Sequence, residues 1–206
     1  MINRRAFLKL AGVAALMPWG CAEYRPGSAG VLLNDLHSGL NPTRVREVIG
    51  VRSVQDIQRA VERAASDRVA ISVAGGRHAM GAQQFGTDSL HLDTQSFNRV
   101  LNFDSRSGLM EVEAGMQWPE LIHASLAMQV GNTRQWGIAQ KQTGADRLSI
   151  GGAVSANIHG RGLKLKPFIG DVEAVTLIMA DGQTRRCSRS QNPELFKLAA
   201  GGYRLF

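Results

Sequence analysis

Cysteine is scarce in this 206-residue chain, which has only Cys21 and Cys187. Two cysteines lack metal-ligand spacing and define no disulfide framework. There is no long apolar run either: Leu10 to Met17 is far too short to span a bilayer. Lysine and arginine exceed the acids by a formal +7, yet no Lys/Arg run is interleaved with aromatics. The excess therefore reads as solvated surface and not as a nucleic-acid footprint. No G-x-G-x-x-G follows a strand, which disfavours a Rossmann dinucleotide site. What remains is a soluble globular composition, 44% hydrophobic and 20% charged, long enough for one domain with a real core.

Three of the positive charges, Arg4, Arg5 and Lys9, fall in the first ten residues, ahead of the apolar run. Asn3 to Lys9 resembles a twin-arginine export signal, with small residues Gly20 and Ala22 at plausible cleavage positions. Gly20-Cys21 also resembles a lipoprotein cleavage box, which would anchor the chain at Cys21, although Pro18 and Trp19 fit that poorly. The other reading is an uncleaved amphipathic helix. Residues 1–24 are assigned to the signal and 25–43 to a linker or strap rich in Gly, Ser, Asn and Pro. The folded domain is expected over 44–206, exported to the periplasm or beyond, with no integral membrane span once the signal is removed.

The first informative stretch is Val69 to Gly86. Val69, Ile71 and Val73 alternate as a short buried strand, which then breaks at Gly75-Gly76-Arg77-His78-Ala79, with Gly81 following. Adjacent glycines let a backbone turn sharply, and successive free N–H groups in such a turn suit an anion. Spacing alone leaves two readings open: a phosphate-binding turn, or a tight turn with a surface histidine. Upstream, Ser53 and Asp56 make a capping pattern for a helix whose inner face is Val54, Ile57, Ala60, Val61, Ala64 and Ala65. Leu90 to Asp93 is a second short strand, with His91 as a pleat-facing residue.

From Phe97 the texture becomes antiparallel. Arg99 to Asp104 and Leu109 to Ala114 are joined by a Ser105–Gly108 turn. Trp118-Pro119-Glu120 opens a helix with Leu121, Ile122, Ser125 and Leu126 inward, and His123 on its flank. Asp171 to Met179 is apolar on both faces and reads as a central strand. It turns at Asp181-Gly182 into Thr184 to Ser188, and Asn192-Pro193-Glu194 starts a last helix, with Asn192 as its N-cap.

The second informative stretch runs from Thr143 through Gly144, Ala145 and Ser149 to Gly151-Gly152, then Ser155, Asn157 and His159. Its glycines permit close approach to a planar ligand, and its short polar side chains can hydrogen-bond one. A glycine-rich helix contact is the alternative.

Both stretches resemble segments of FAD-linked oxidoreductases with a PCMH-type, vanillyl-alcohol-oxidase-like FAD domain. AGGRHAMG is similar to the pyrophosphate loop, and LSIGGAVSANIHGRG to the segment lining the isoalloxazine and pyrophosphate. They occur in the family's order and at roughly its separation. The resemblance implies an α+β fold: a small α/β subdomain plus a larger antiparallel-sheet subdomain with helices. It implies FAD held by Gly75, Gly76, Arg77, Ala79 and Gly81 on one side. Gly144, Ala145, Ser149, Gly151, Gly152, Ser155 and Asn157 hold the other. His78 is the candidate covalent anchor, and Arg77 beside it is expected to disfavour the protonated ring. His159 either acts near the flavin or closes its turn. No cysteine lies between Thr143 and Gly152, so at most one covalent link is expected.

The implied activity is removal of a hydride from an alcohol, sugar or lactone, with oxygen or another redox partner taking the electrons. Relatives continue past the Gly201-Gly202 turn into a substrate domain, so the chain reads as C-terminally incomplete and its catalytic residues are unassigned. An FAD-binding remnant without turnover is the alternative, and a binding domain that has lost FAD a third.

Overall fold

The computed structural model describes residues 29–202, apart from positions 142, 143, 161, 163 and 165. The export signal with Arg4, Arg5 and Cys21, and the last residues including Arg204, lie outside the described residues, as does Thr143.

The segment read as a linker carries a strand. β1 (Val31–Leu33) pairs antiparallel with β2 (Thr43–Val45), and a turn-rich loop joins them. Asp35 organises that loop: its carboxylate accepts from the Ser38 N–H and hydroxyl and from Asn41 Nδ2. Repeated polar residues hid the strand because its three residues carry too little pattern to register.

A small parallel sheet follows, with β3 (Glu47–Gly50) and β4 (Ile71–Ala74) on either side of β5 (Leu90–Asp93). Helix α1 (Val54–Asp67) crosses between β3 and β4. As the sequence reading expects, Ser53 caps it by accepting the Asp56 N–H, and Ala60 and Ala64 are buried. Ala65, assigned to the same face, is exposed instead. The core between helix and sheet is Val51, Ala60 and Leu92, with Ile49, Ile57, Ile71, Val73 and Phe97 against it. Replacing Ser53 with Ala removes the hydroxyl that the first-turn Asp56 N–H shares with the Ser53 carbonyl. A loss of about 1 kcal/mol is expected in a urea titration.

The opposite face of β4 is polar and buried. Ser72 Oγ lies 2.7 Å from Ser89 Oγ and 2.8 Å from His91 Nδ1. His91 is thus a buried sheet residue, as its position in an alternating strand implied.

The antiparallel part consists of two ribbons. β6 (Val100–Asp104) pairs with β7 (Leu109–Val112), and β8 (Ala174–Ile178) with β9 (Thr184–Ser188). Their turns use Gly108 and Gly182, both at positive φ. Among the described residues β8 pairs with β9 alone, so it is half of a ribbon and not a central strand. Its start also shifts, because Phe168–Asp171 forms a short 3-10 turn.

Helix α2 (Trp118–Ala127) is capped through Gln117 and Glu120, and buries Trp118 edge-on to Phe168. Leu126 is exposed, contrary to its assigned inward face. Helix α3 (Ile150–Ser155) was not legible from periodicity, being only six residues long. In α4 (Pro193–Ala199) Asn192 sits at positive φ, and its side chain donates to the Arg186 carbonyl instead of capping the helix.

Candidate functional site

β4 delivers the chain to Gly75 and Gly76, both buried, where the backbone turns through Arg77 at φ 52°. Thr94 anchors the strand end, donating its N–H and hydroxyl to the Ala74 carbonyl. Glycine is required here by the neighbouring segment. A methyl group on Gly75 would overlap the Ser149 side chain, and one on Gly76 the Arg147 carbonyl oxygen. The two glycine-rich stretches, though far apart in sequence, therefore pack closely, Gly75 against the Ser149 side chain and Gly76 against the Arg147 backbone.

The second stretch is held in turn by the segment before α2. Ile150 and Gly151 donate their N–H groups to the Met116 and Ala114 carbonyls, each at 2.8 Å. Gly151 packs against Ala114, with no room for a Cβ. Behind this contact Gly115 is wedged against the Thr94 and Phe97 carbonyls, and the buried Glu113 ties Arg99 by side chain and backbone. Ser149 caps α3 by accepting the Gly152 N–H. Thus Gly75, Gly76 and Gly151 make close approaches to protein backbone or side chain, which the sequence reading had assigned to a ligand.

Polar satisfaction is uneven in a revealing way. Seven buried side-chain nitrogen or oxygen atoms have no hydrogen-bond partner among the described residues. Four belong to residues expected to hold a cofactor: Arg77 Nε, His78 Nε2, Ser155 Oγ and Asn157 Oδ1. A fifth, Gln84 Oε1, belongs to a side chain whose Nε2 donates to the Ala79 carbonyl of the same loop. An unsatisfied buried polar group costs about 1–3 kcal/mol. Such a concentration at two docked stretches fits a polar ligand that completes them.

His78 is half-buried, and its Nδ1 lies 2.9 Å from Nε2 of the exposed His37. Burial pushes the His78 pKa below the ordinary histidine range; the charge on His37 adds to this and the Arg147 carbonyl opposes it. Arg77, expected to supply that effect, is not among the causes. The ring is kept neutral by desolvation and by its partner imidazole.

His37 was not found from sequence. It lies on the β1–β2 loop, whose Leu36 N–H donates to the Arg77 carbonyl and whose Asn41 Nδ2 donates to the Met80 carbonyl. Asp35 holds this loop, and its carboxyl is kept well below the usual carboxylate range. The Asn41 amide is the largest cause, opposed by burial and reinforced by Ser38 and Gly39.

Other expected residues stand apart. Gly81 is exposed, with its N–H donated to Gln83 Oε1. Gly144 is exposed and Ala145 half-buried, beside an ion pair between Lys141 and Asp146. His159 is exposed, and its Nδ1 lies 3.0 Å from the Gly160 carbonyl oxygen. No hydrogen bond or ring contact among the described residues joins it to His78. An open groove of ≈ 460 Å³ lies elsewhere, beside α2, lined by Asn98, Met116, Glu120 and His123 among others. Its one acid, Glu120, is occupied in capping α2.

A family profile described as "FAD binding domain" matches residues 45–188. The chain belongs to that family of FAD-binding oxidoreductase domains. Among curated relatives it is 30% identical over 155 residues to an uncharacterized oxidoreductase, ORF5 of the fasciation locus of Rhodococcoides fascians, covering 75% of this chain and 34% of the relative. It is 29% identical over 148 residues to L-gulonolactone oxidase of Mus musculus, covering 71% and 32%. Two solved structures share its fold. Chitooligosaccharide oxidase matches with a TM-score of 0.64 at 20% identity, over 77% of this chain and 33% of its own. The 6-hydroxy-D-nicotine oxidase of Arthrobacter nicotinovorans matches with a TM-score of 0.64 at 18% identity, over 87% and 40%. The fold is thus the expected α+β, PCMH-type one. The chain spans about a third of the length of the curated relatives it matches.

Proposed function

We propose that this chain supplies the FAD-binding part of an oxidoreductase that removes a hydride from an alcohol, sugar or lactone, passing electrons to oxygen or another redox partner. The observation that carries this is that buried, unpartnered polar atoms occur on Arg77, His78, Ser155 and Asn157, all within the two glycine-rich stretches that dock on each other at Gly75 and Gly76. The names of the relatives support the substrate class: oxidases and dehydrogenases of lactones and sugars.

When bound, the flavin accepts the hydride, and the protein's part is to bind and orient it. Arg77, Ser155 and Asn157 would give it hydrogen bonds, and His78 would anchor it as the one covalent link. Titrating apoprotein with FAD should raise its Tm by mass action. Loaded protein should bleach on addition of a lactone or sugar substrate. A Tm indifferent to FAD would refute cofactor binding. FAD binding with no bleaching across a panel of sugars, lactones and alcohols would support the second reading, a flavin-binding unit without turnover.

Export through the twin-arginine route is proposed on Arg4-Arg5 ahead of the apolar run. That route carries folded proteins, which suits a cofactor inserted beforehand. Among the described residues no helix is long and apolar enough to cross a membrane. Changing both arginines to lysine should hold the protein in the cytoplasm, as read by fractionation. Unchanged export would contradict the assignment.

A further inference from the structure

We infer that Gln84 is a positioning residue for the glycine loop: by holding the Ala79 carbonyl it turns the Met80 N–H the opposite way and leaves it free for an anion. Gln84 is fully buried, and its Nε2 donates to the Ala79 carbonyl at 2.9 Å. Turned over, the amide would set Oε1 against that carbonyl oxygen with no proton between two acceptors, so the nitrogen faces Ala79. Every peptide bond among the described residues is trans. In a trans peptide the carbonyl of one residue and the N–H of the next point in opposite directions. Fixing the Ala79 carbonyl therefore fixes the direction of the Met80 N–H.

The neighbouring peptides are set in the same manner. The Leu36 N–H donates to the Arg77 carbonyl at 3.0 Å, which aims the His78 N–H away from the β1–β2 loop. Asn41 Nδ2 donates to the Met80 carbonyl at 2.6 Å, and the Gly81 N–H at the other end of that peptide donates to Gln83 Oε1. The His78 and Met80 N–H groups, by contrast, donate to nothing among the described residues. Backbone N–H groups left free in one turn suit an anion.

The chain reverses through Ala82 at φ 60°, and the Phe85 N–H closes on the Ala82 carbonyl at 2.9 Å, which returns Gln84 to the loop it follows. Stability does not account for a glutamine there. One end of its amide makes a hydrogen bond, while Oε1 is buried without a partner among the described residues, so gain and cost are of similar size. What the side chain adds is direction. That the anion is the FAD diphosphate rests on the proposed function; the direction of the amides does not.

The test is Gln84→Met, which keeps the length of the side chain and removes both its donor and its unpartnered oxygen. Measured in a His78→Ala background, so that flavin stays dissociable, the variant should bind FAD at least about tenfold more weakly than its parent, the scale of one hydrogen bond. Its urea midpoint should stay near the parent's. Unchanged FAD affinity would overturn the inference, and so would a midpoint and an affinity that fall together, which mark a merely structural role. Amide hydrogen exchange of the wild-type chain, read by NMR, tests the same claim even if the variant does not fold. The His78 and Met80 N–H groups should gain protection when inorganic pyrophosphate or FAD is added; protection from neither would overturn the inference. Protection by pyrophosphate with no binding of FAD would refute the cofactor reading and leave the aimed amides standing.

Discussion

Gly76→Ala is expected to abolish FAD binding and to cost at least about 3 kcal/mol of stability, the upper end of what overpacking usually costs. The added methyl would overlap the Arg147 carbonyl oxygen, a backbone atom that cannot rotate away. Room can be made only by parting the two glycine stretches, and that separation dismantles the cofactor contacts. Native domains are stable by about 5–15 kcal/mol, so such a loss is a large share of the total. Gly137→Ala is the control: among the described residues nothing lies within 4 Å of a Cβ there, and its effect should stay within about 0.5 kcal/mol. Urea midpoints and FAD titrations of the two variants measure the difference. If Gly76→Ala binds FAD like wild type, the docking of the two stretches does not form the site.

His78→Ala is expected to have a different signature. Among the described residues the His78 side chain pairs with the exposed His37 and lies beside the Arg147 carbonyl, so its removal should leave the fold nearly intact. The contacts proposed from Arg77, Ser155 and Asn157 remain, so dissociable FAD binding should persist. What should vanish is flavin that survives acid precipitation, because the variant has no imidazole to bond. A burial-depressed pKa keeps the wild-type ring neutral and nucleophilic near neutral pH, while the loop holds it in place. Flavin retained after acid in His78→Ala would move the anchor elsewhere.

The two glycine stretches were legible because each breaks a local pattern, a strand ending in Gly-Gly and a polar run around Gly151-Gly152. Their partnership was legible only through family resemblance. That Gly75 answers to Ser149 and Gly76 to Arg147 is a tertiary fact with no trace in spacing. Capping residues were read well where the side chain acts within its own turn, as at Ser53. They were misread at Asn192, where a strand carbonyl from Arg186 competes for the amide. Helix faces failed at their margins: Leu126 and Ala65 have the right period but stay exposed, because among the described residues no element covers α2 and α1 at those angles. His37 was lost because a polar loop looks like a linker whether it is free or strapped across a site by Asp35 and Asn41.

The most direct test of the central claim is where the flavin mass appears. Trypsin cuts after Arg77 and Arg99, so His78 begins its own peptide, while His159 falls on the separate peptide that follows Arg147. Protein produced with FAD, acid-precipitated and digested, should carry the flavin on the peptide from His78 to Arg99. Flavin wholly in the acid supernatant, or on the peptide bearing His159, would contradict the account.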